Sequence, residues 1–144
     1  ELHIGGNGDL KPLLDFKKES SFSDKLIVFG ELSQQQVSEK MNQSDCFILF
    51  SLFENQPCVQ VESFASGLPV IAADVGGIKE VFPDGFGQII SPNNEGELLV
   101  SMKNFIENKM NLKSRTEINQ FAQDNFSMLK ISTDFDQIYK EVLK

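Results

Sequence analysis

The sequence predicts an α/β fold, a Rossmann-like parallel sheet flanked by helices, and three observations predict it. Five short apolar runs alternate with stretches of helical periodicity, the pattern of strands joined by helical crossovers. The run Cys46-Phe47-Ile48-Leu49-Phe50 is unbroken rather than alternating, as a parallel strand buried on both faces requires. Loops rich in glycine and polar residues follow the strands, so the ligand-binding edge of such a sheet is supplied with suitable residues.

The strands are expected at residues 2–4, 26–29, 46–50, 69–72 and 88–90. Helices are expected near 9–19, 33–44, 58–66, 76–82, 95–109, 115–124 and 128–143. Leu2-His3-Ile4 opens the sheet, and His3, inside that apolar run, reads as a core residue rather than a catalyst. Ser33 and Gln36 form a capping box for the second helix, with Leu32 and Val37 as its hydrophobic staple. Pro57 sits where the third helix begins, a position that tolerates its missing N–H, and Val61, Phe64 and Ala65 recur at helical spacing. Gly67-Leu68-Pro69 stops that helix and turns the chain into the next strand. Asp74 is placed to cap the short helix after it, and Gly76-Gly77 reads either as a structural turn or as a ligand contact. Past Pro92 the pattern is helical only, a flank expected to close the sheet. Asn94 with Glu97 and Ser114 with Glu117 repeat the capping pattern. Leu98, Leu99, Met102, Phe105 and Ile106 form one amphipathic stripe; Ile131, Phe135, Ile138 and Val142 form another.

At 144 residues the chain has the size of one domain with a single core. No apolar run has the length of a membrane span. The net charge of −8 argues against a nucleic-acid partner, which calls for a basic footprint. Cys46 and Cys58 make no disulfide framework and no signal-peptide pattern opens the chain, so a reducing cytosol is the expected location. The chain enters a strand directly from Glu1, which reads as an excised fragment of a longer protein. Most of the 13 Phe residues are expected in the core. Phe29 and Phe53, beside the loops, are the two candidates for ligand contacts.

Two glutamates eight residues apart, Glu54 and Glu62, bracket the turn from the third strand into its helix. That geometry puts Glu54 in a loop at the carboxyl end of a buried strand and Glu62 on the helix that follows. Two carboxylates there, with no metal-ligand cluster beside them, suit hydrogen bonding to sugar hydroxyls. Glycines in the neighbouring loops, Gly6, Gly8 and Gly30 among them, let a ligand approach the backbone closely. The amides at the start of the helix suit a diphosphate.

This stretch, with Gly67-Leu68-Pro69-Val70-Ile71-Ala72, Gly76-Gly77-Ile78-Lys79-Glu80, Gly6-Asn7-Gly8, Val28-Phe29-Gly30 and Phe126-Ser127, resembles the C-terminal, donor-binding domain of family 4 retaining glycosyltransferases. Glu54 and Glu62 match that family's E-x7-E signature, and the likeness covers nearly the whole chain. The resemblance implies the C-terminal half of a two-domain GT-B enzyme, with a UDP-, GDP- or ADP-sugar as donor. It implies metal-independent transfer of a hexosyl-type sugar to a glycan or lipid-linked acceptor, in bacterial surface polysaccharide synthesis at the inner face of the membrane. By the same likeness Glu54, Asn55 and Gln56 meet the donor sugar, and Glu62 the ribose. Gly6, Gly8 and the backbone around Pro57, Cys58 and Val59 meet the phosphates, while Gly30 and Glu31 meet the base.

The sequence departs from the family pattern in two places. Many members read Glu-Gly-Phe-Gly where this chain has Glu54-Asn55-Gln56-Pro57, which keeps the carboxylate but removes two flexible glycines. The family's Arg/Lys pair that neutralises the diphosphate belongs to a segment upstream of the first strand, and nothing in this chain matches it. The isolated chain is therefore expected to bind donor weakly and to transfer nothing; no residue in it is assigned a catalytic role. The competing reading is a Rossmann-like nucleotide or NAD module built on Gly6-x-Gly8 and Glu31. It is weakened by Lys11, where the dinucleotide fingerprint wants Gly or Ala.

Overall fold

The computed structural model describes residues 1–143. The chain divides into two compact units, residues 1–39 and residues 40–144. The first holds β1 (Leu2–Gly5), α1 (Lys11–Glu19), a 3-10 turn (Ser23–Lys25) and β2 (Leu26–Phe29). The second holds β3 (Phe47–Leu49), α3 (Cys58–Ala65), β4 (Val70–Ala73), a 3-10 turn (Ile78–Val81) and β5 (Gly87–Ile90), then α4 (Glu95–Ile106), α5 (Arg115–Phe126) and α6 (Met128–Val142). The remaining helix, α2 (Gln34–Asn42), runs across the division.

All strand pairing is parallel, but it falls into two sheets, β1-β2 and β3-β4-β5. Apolar periodicity identifies which residues are strands and carries no information on which neighbour each strand selects. In the first unit Leu2 is registered with Leu26 and Gly5 with Phe29. The ring of Phe29 occupies the space beside Gly5, where a Cβ would stand 1.9 Å from it. Phe29 is half-buried, its ring against Gly5 at the start of the Gly6-Asn7-Gly8 loop. His3 is exposed, 3.5 Å from the Glu1 carboxylate, and is not a core residue, because its strand leaves Leu2 and His3 open to solvent.

The second unit is built around β4, buried at all four residues between β3 and β5. Phe64 on α3 is fully buried and meets Phe82, Phe86 and Phe121 edge-to-face, with ring centroids 5.8, 5.2 and 6.4 Å away. Such contacts add to the burial of the rings themselves. Val70, Ala72, Ile78, Ile118 and Ala122 complete this core. The end of α3 follows the Gly67 reading: Leu68 N–H donates to Ser63 O and Gly67 N–H to Phe64 O, with Gly67 at φ +70°. A Cβ at Gly67 would also stand 2.6 Å from the carbonyl oxygen of Arg115. From α5, Arg115 donates to Ser44 O and Ser66 O at 2.8 and 3.1 Å, placing a cation at the carboxyl end of α3.

The helix caps follow the sequence closely. Ser114 and Glu117 form the full capping box, and Ser33 and Gln36 exchange bonds in the same way. Asn94 accepts from Glu97 N–H, whereas the Glu97 carboxylate accepts from Ser91 N–H rather than from the cap backbone. Two expectations fail. Asp74 does not cap the turn after it; its carboxylate pairs with Lys79. The stripes on α4 and α6 are incompletely covered, for Leu99, Ile106, Phe135, Ile138 and Val142 are all exposed. Amphipathic spacing shows that a face is apolar, and does not supply the partner that buries it.

Candidate functional site

The loop after β3 is fixed by contacts at both its side chains and its backbone. Ser51 Oγ donates to Glu54 Oε1 at 2.6 Å, within the range of a hydroxyl bonded to a carboxylate. Between them Leu52 and Phe53 turn outward, 76% and 78% exposed, while Ser51 and Glu54 are half-buried. The loop after β4 lies directly against this one. Gly76, at φ +54°, has no room for a side chain: a Cβ would stand 1.6 Å from the carbonyl oxygen of Glu54. Gly77 N–H donates to Asn55 O at 2.6 Å. The glycine pair therefore has a structural duty, backbone packing at the carboxyl end of adjacent parallel strands.

The same loop leads into α3. Pro57 is buried just ahead of it and in extended conformation, so Cys58 is the first helical residue. Gln60 N–H donates to Pro57 O at 3.1 Å, while the amides of Cys58 and Val59 lack intrahelical acceptors and lie at the positive end of the helix dipole. Glu62 follows on the second turn, half-buried, and its carboxylate makes no hydrogen bond or ion pair among the described residues. One turn of chemistry thus brings together a braced carboxylate, an unpartnered carboxylate and a helix start.

Gln60 joins these pieces and was not singled out from the sequence. It is fully buried, and its Nε2 donates to Ile78 O and Val81 O at 3.1 Å each. The helix carrying Glu62 is thereby tied to the 3-10 turn that follows Gly76-Gly77. Its Oε1 is buried without a partner. Nothing local distinguishes a glutamine between Val59 and Val61 from an ordinary polar helix position. Ser51 was also missed, although a hydroxyl three residues ahead of a carboxylate, just past a strand, is a readable signal.

The other candidates are placed as follows. Asn55, Gln56 and Cys58 are exposed beside Glu54, and Val59 is half-buried. Phe53 is exposed at the same loop. Gly6, Gly8, Gly30 and Glu31 belong to the first unit, in the loops leaving the carboxyl ends of β1 and β2. At Gly6 and Gly8 an added Cβ meets nothing within 4 Å, so the fold itself does not demand glycine there. Glu80 is exposed on the 3-10 turn. Cys46 lies just ahead of β3, and burial pushes its thiol up to about 12.

Chemically, the arrangement in the second unit offers carboxylate acceptors beside a concentration of backbone donors. It suits a ligand that carries hydroxyls next to an anionic group. The chain is 26% identical to N-acetyl-alpha-D-glucosaminyl L-malate synthase of Bacillus anthracis, over 99% of this chain and 38% of that protein. It is 31% identical to the Vi polysaccharide biosynthesis protein VipC/TviE of Salmonella typhi, over 85% of this chain and 22% of that one. Among solved structures, Anabaena Alr3699/HepE in complex with UDP superposes with a TM-score of 0.82 at 20% identity, over 96% of this chain and 40% of that chain. Its complex with UDP-glucose gives a TM-score of 0.80. The chain thus spans well under half the length of the relatives it matches. The fold class expected from the sequence, α/β with parallel strands of GT-B type, is the one found. The family model described as "Glycosyl transferases group 1" matches residues 1–125, and the chain belongs to that family.

Proposed function

We propose that the chain is the donor-binding part of a family 4 retaining glycosyltransferase, with Glu54 and Glu62 as its E-x7-E pair. The full protein would transfer a hexosyl-type sugar from a nucleoside diphosphate sugar to a glycan or lipid-linked acceptor. The observation that carries this reading is the junction between β3 and α3. There Glu54 is held by Ser51, Glu62 is half-buried without a partner among the described residues, and the two flank the helix start. Glu54 would accept from hydroxyls of the transferred sugar and Glu62 from those of the ribose. The first amides of α3 would face the diphosphate. The relatives point the same way, one named for polysaccharide biosynthesis and one solved with UDP and UDP-glucose. Stabilising the departing diphosphate would be the contribution of this part to catalysis.

The test is a calorimetric titration of UDP, GDP, ADP and NAD into the chain and its Glu62→Ala variant. Weak binding of one nucleoside diphosphate, weakened further in the variant, is the expected result and identifies the base. Selective binding of NAD would overturn the proposal in favour of a dinucleotide module. Sugar transfer by this chain alone would contradict its assignment as a donor-binding part.

A further inference from the structure

We propose that Ser51 is a positioning residue that sets the carboxylate of Glu54 for the donor sugar, an inference that rests on the donor-binding reading above. Ser51 Oγ spends its single proton on Glu54 Oε1 at 2.6 Å. That bond leaves Oε2 as the oxygen open to a ligand hydroxyl. It also removes the torsional freedom that a glutamate in a loop otherwise retains.

The surroundings explain why a side-chain brace is needed. The residues between the two, Leu52 and Phe53, are exposed and cannot fix the loop by packing. The backbone downstream is held independently, by Gly77 N–H on Asn55 O and by the close approach of Gly76 to Glu54 O. These contacts fix where Glu54 starts; the Ser51 bond fixes where its carboxylate ends. Main-chain and side-chain restraints thus come from different residues, so removing the hydroxyl should loosen the carboxylate without unfolding the loop. A hydrogen bond from a sugar hydroxyl to Oε2 depends on that orientation, whereas contacts to the nucleoside diphosphate do not.

The experiment compares UDP with UDP-glucose and UDP-N-acetylglucosamine by calorimetry on the chain and on Ser51→Ala, Ser51→Thr and Glu54→Gln. Melting temperatures are measured alongside. The ratio of nucleotide-sugar affinity to UDP affinity reports the sugar contact. In Ser51→Ala that ratio should fall about two- to tenfold, the effect of freeing one ordered side chain, with UDP affinity unchanged. Ser51→Thr, which keeps the hydroxyl, should restore it. An unchanged ratio in Ser51→Ala, with a reduced one in Glu54→Gln, would overturn the positioning role and leave the donor reading intact. Equal weakening of UDP and of the sugar nucleotides would make Ser51 a structural brace and also overturn it. Where the titration above selects GDP or ADP, their glucose and N-acetylglucosamine forms replace the UDP series; failure of the unsubstituted chain to bind any of the three nucleoside diphosphates or their sugar forms would sink the donor reading and this inference together.

Discussion

Gly76 and Glu54 meet backbone to backbone, so closely that a Cβ on Gly76 would stand 1.6 Å from the Glu54 carbonyl oxygen. Gly76 also holds φ at +54°, a conformation L side chains rarely adopt. Gly76→Ala therefore carries both a strain of about 1–3 kcal/mol and a clash that displaces the Glu54 loop. Denaturant unfolding should show at least that loss, and nucleotide-sugar binding should weaken along with it. A variant as stable as the parent would mean the two loops do not pack as described.

Removing the second carboxylate should act on binding and spare the fold. Glu62 makes no bond among the described residues, so Glu62→Ala should leave the melting temperature nearly unchanged. Donor affinity should fall by about 1.5–3 kcal/mol, the range for hydrogen bonds to a charged group. Calorimetry and a thermal melt on the same sample separate the two effects.

Gln60 should behave in the opposite way. Its Nε2 satisfies the carbonyls of Ile78 and Val81 inside the protein, and Gln60→Ala strands both. An unsatisfied buried acceptor costs about 1–3 kcal/mol, so urea unfolding should register a loss of at least that size. Hydrogen exchange would show it as faster opening of the turn at residues 78–81.

The capping box at Ser114 predicts a pH dependence. Hydrogen bonds from the Ser114 backbone and hydroxyl, with Lys113 nearby, lower the Glu117 carboxyl from its ordinary 4.5 to about 2. Bonds to the charged form contribute stability above pH 4.5 and lose it as pH falls towards 2. The stability gap between the parent and Ser114→Ala should accordingly narrow over that window. Urea unfolding at stepped pH measures it, and a constant gap would rule the linkage out.

The two cysteines should react unequally. Cys46 is half-buried with its thiol raised to about 12, whereas Cys58 is exposed at the start of α3. Alkylation at pH 8 should label Cys58 first, as read by peptide mass mapping, because the thiolate is the nucleophile. Saturating UDP should slow that labelling if the phosphates lie over the helix start.

Some of this protein was decided locally and is legible in its residues. Apolar runs located β1 to β5, and Ser114, Asn94 and Gly67 announced helix ends, because capping and positive φ depend on a few adjacent residues. The placement of Glu54 after a strand and of Glu62 on a helix follows from the same local pattern. Other features depend on residues distant in sequence meeting in space. Strand pairing in two sheets, the turn of Phe29 onto Gly5 and the exposed stripe of α6 required knowing which faces meet. Gln60 reaches carbonyls 18 and 21 positions away, and Gly77 reaches Asn55 across a whole helix and strand. The sequence alone thus determined where the two carboxylates stand along the chain. Only tertiary packing decided that Gly76 and Gly77 hold the backbone of Glu54 and Asn55 and that Glu62 has no partner among the described residues, since both outcomes depend on which distant groups close approach places there.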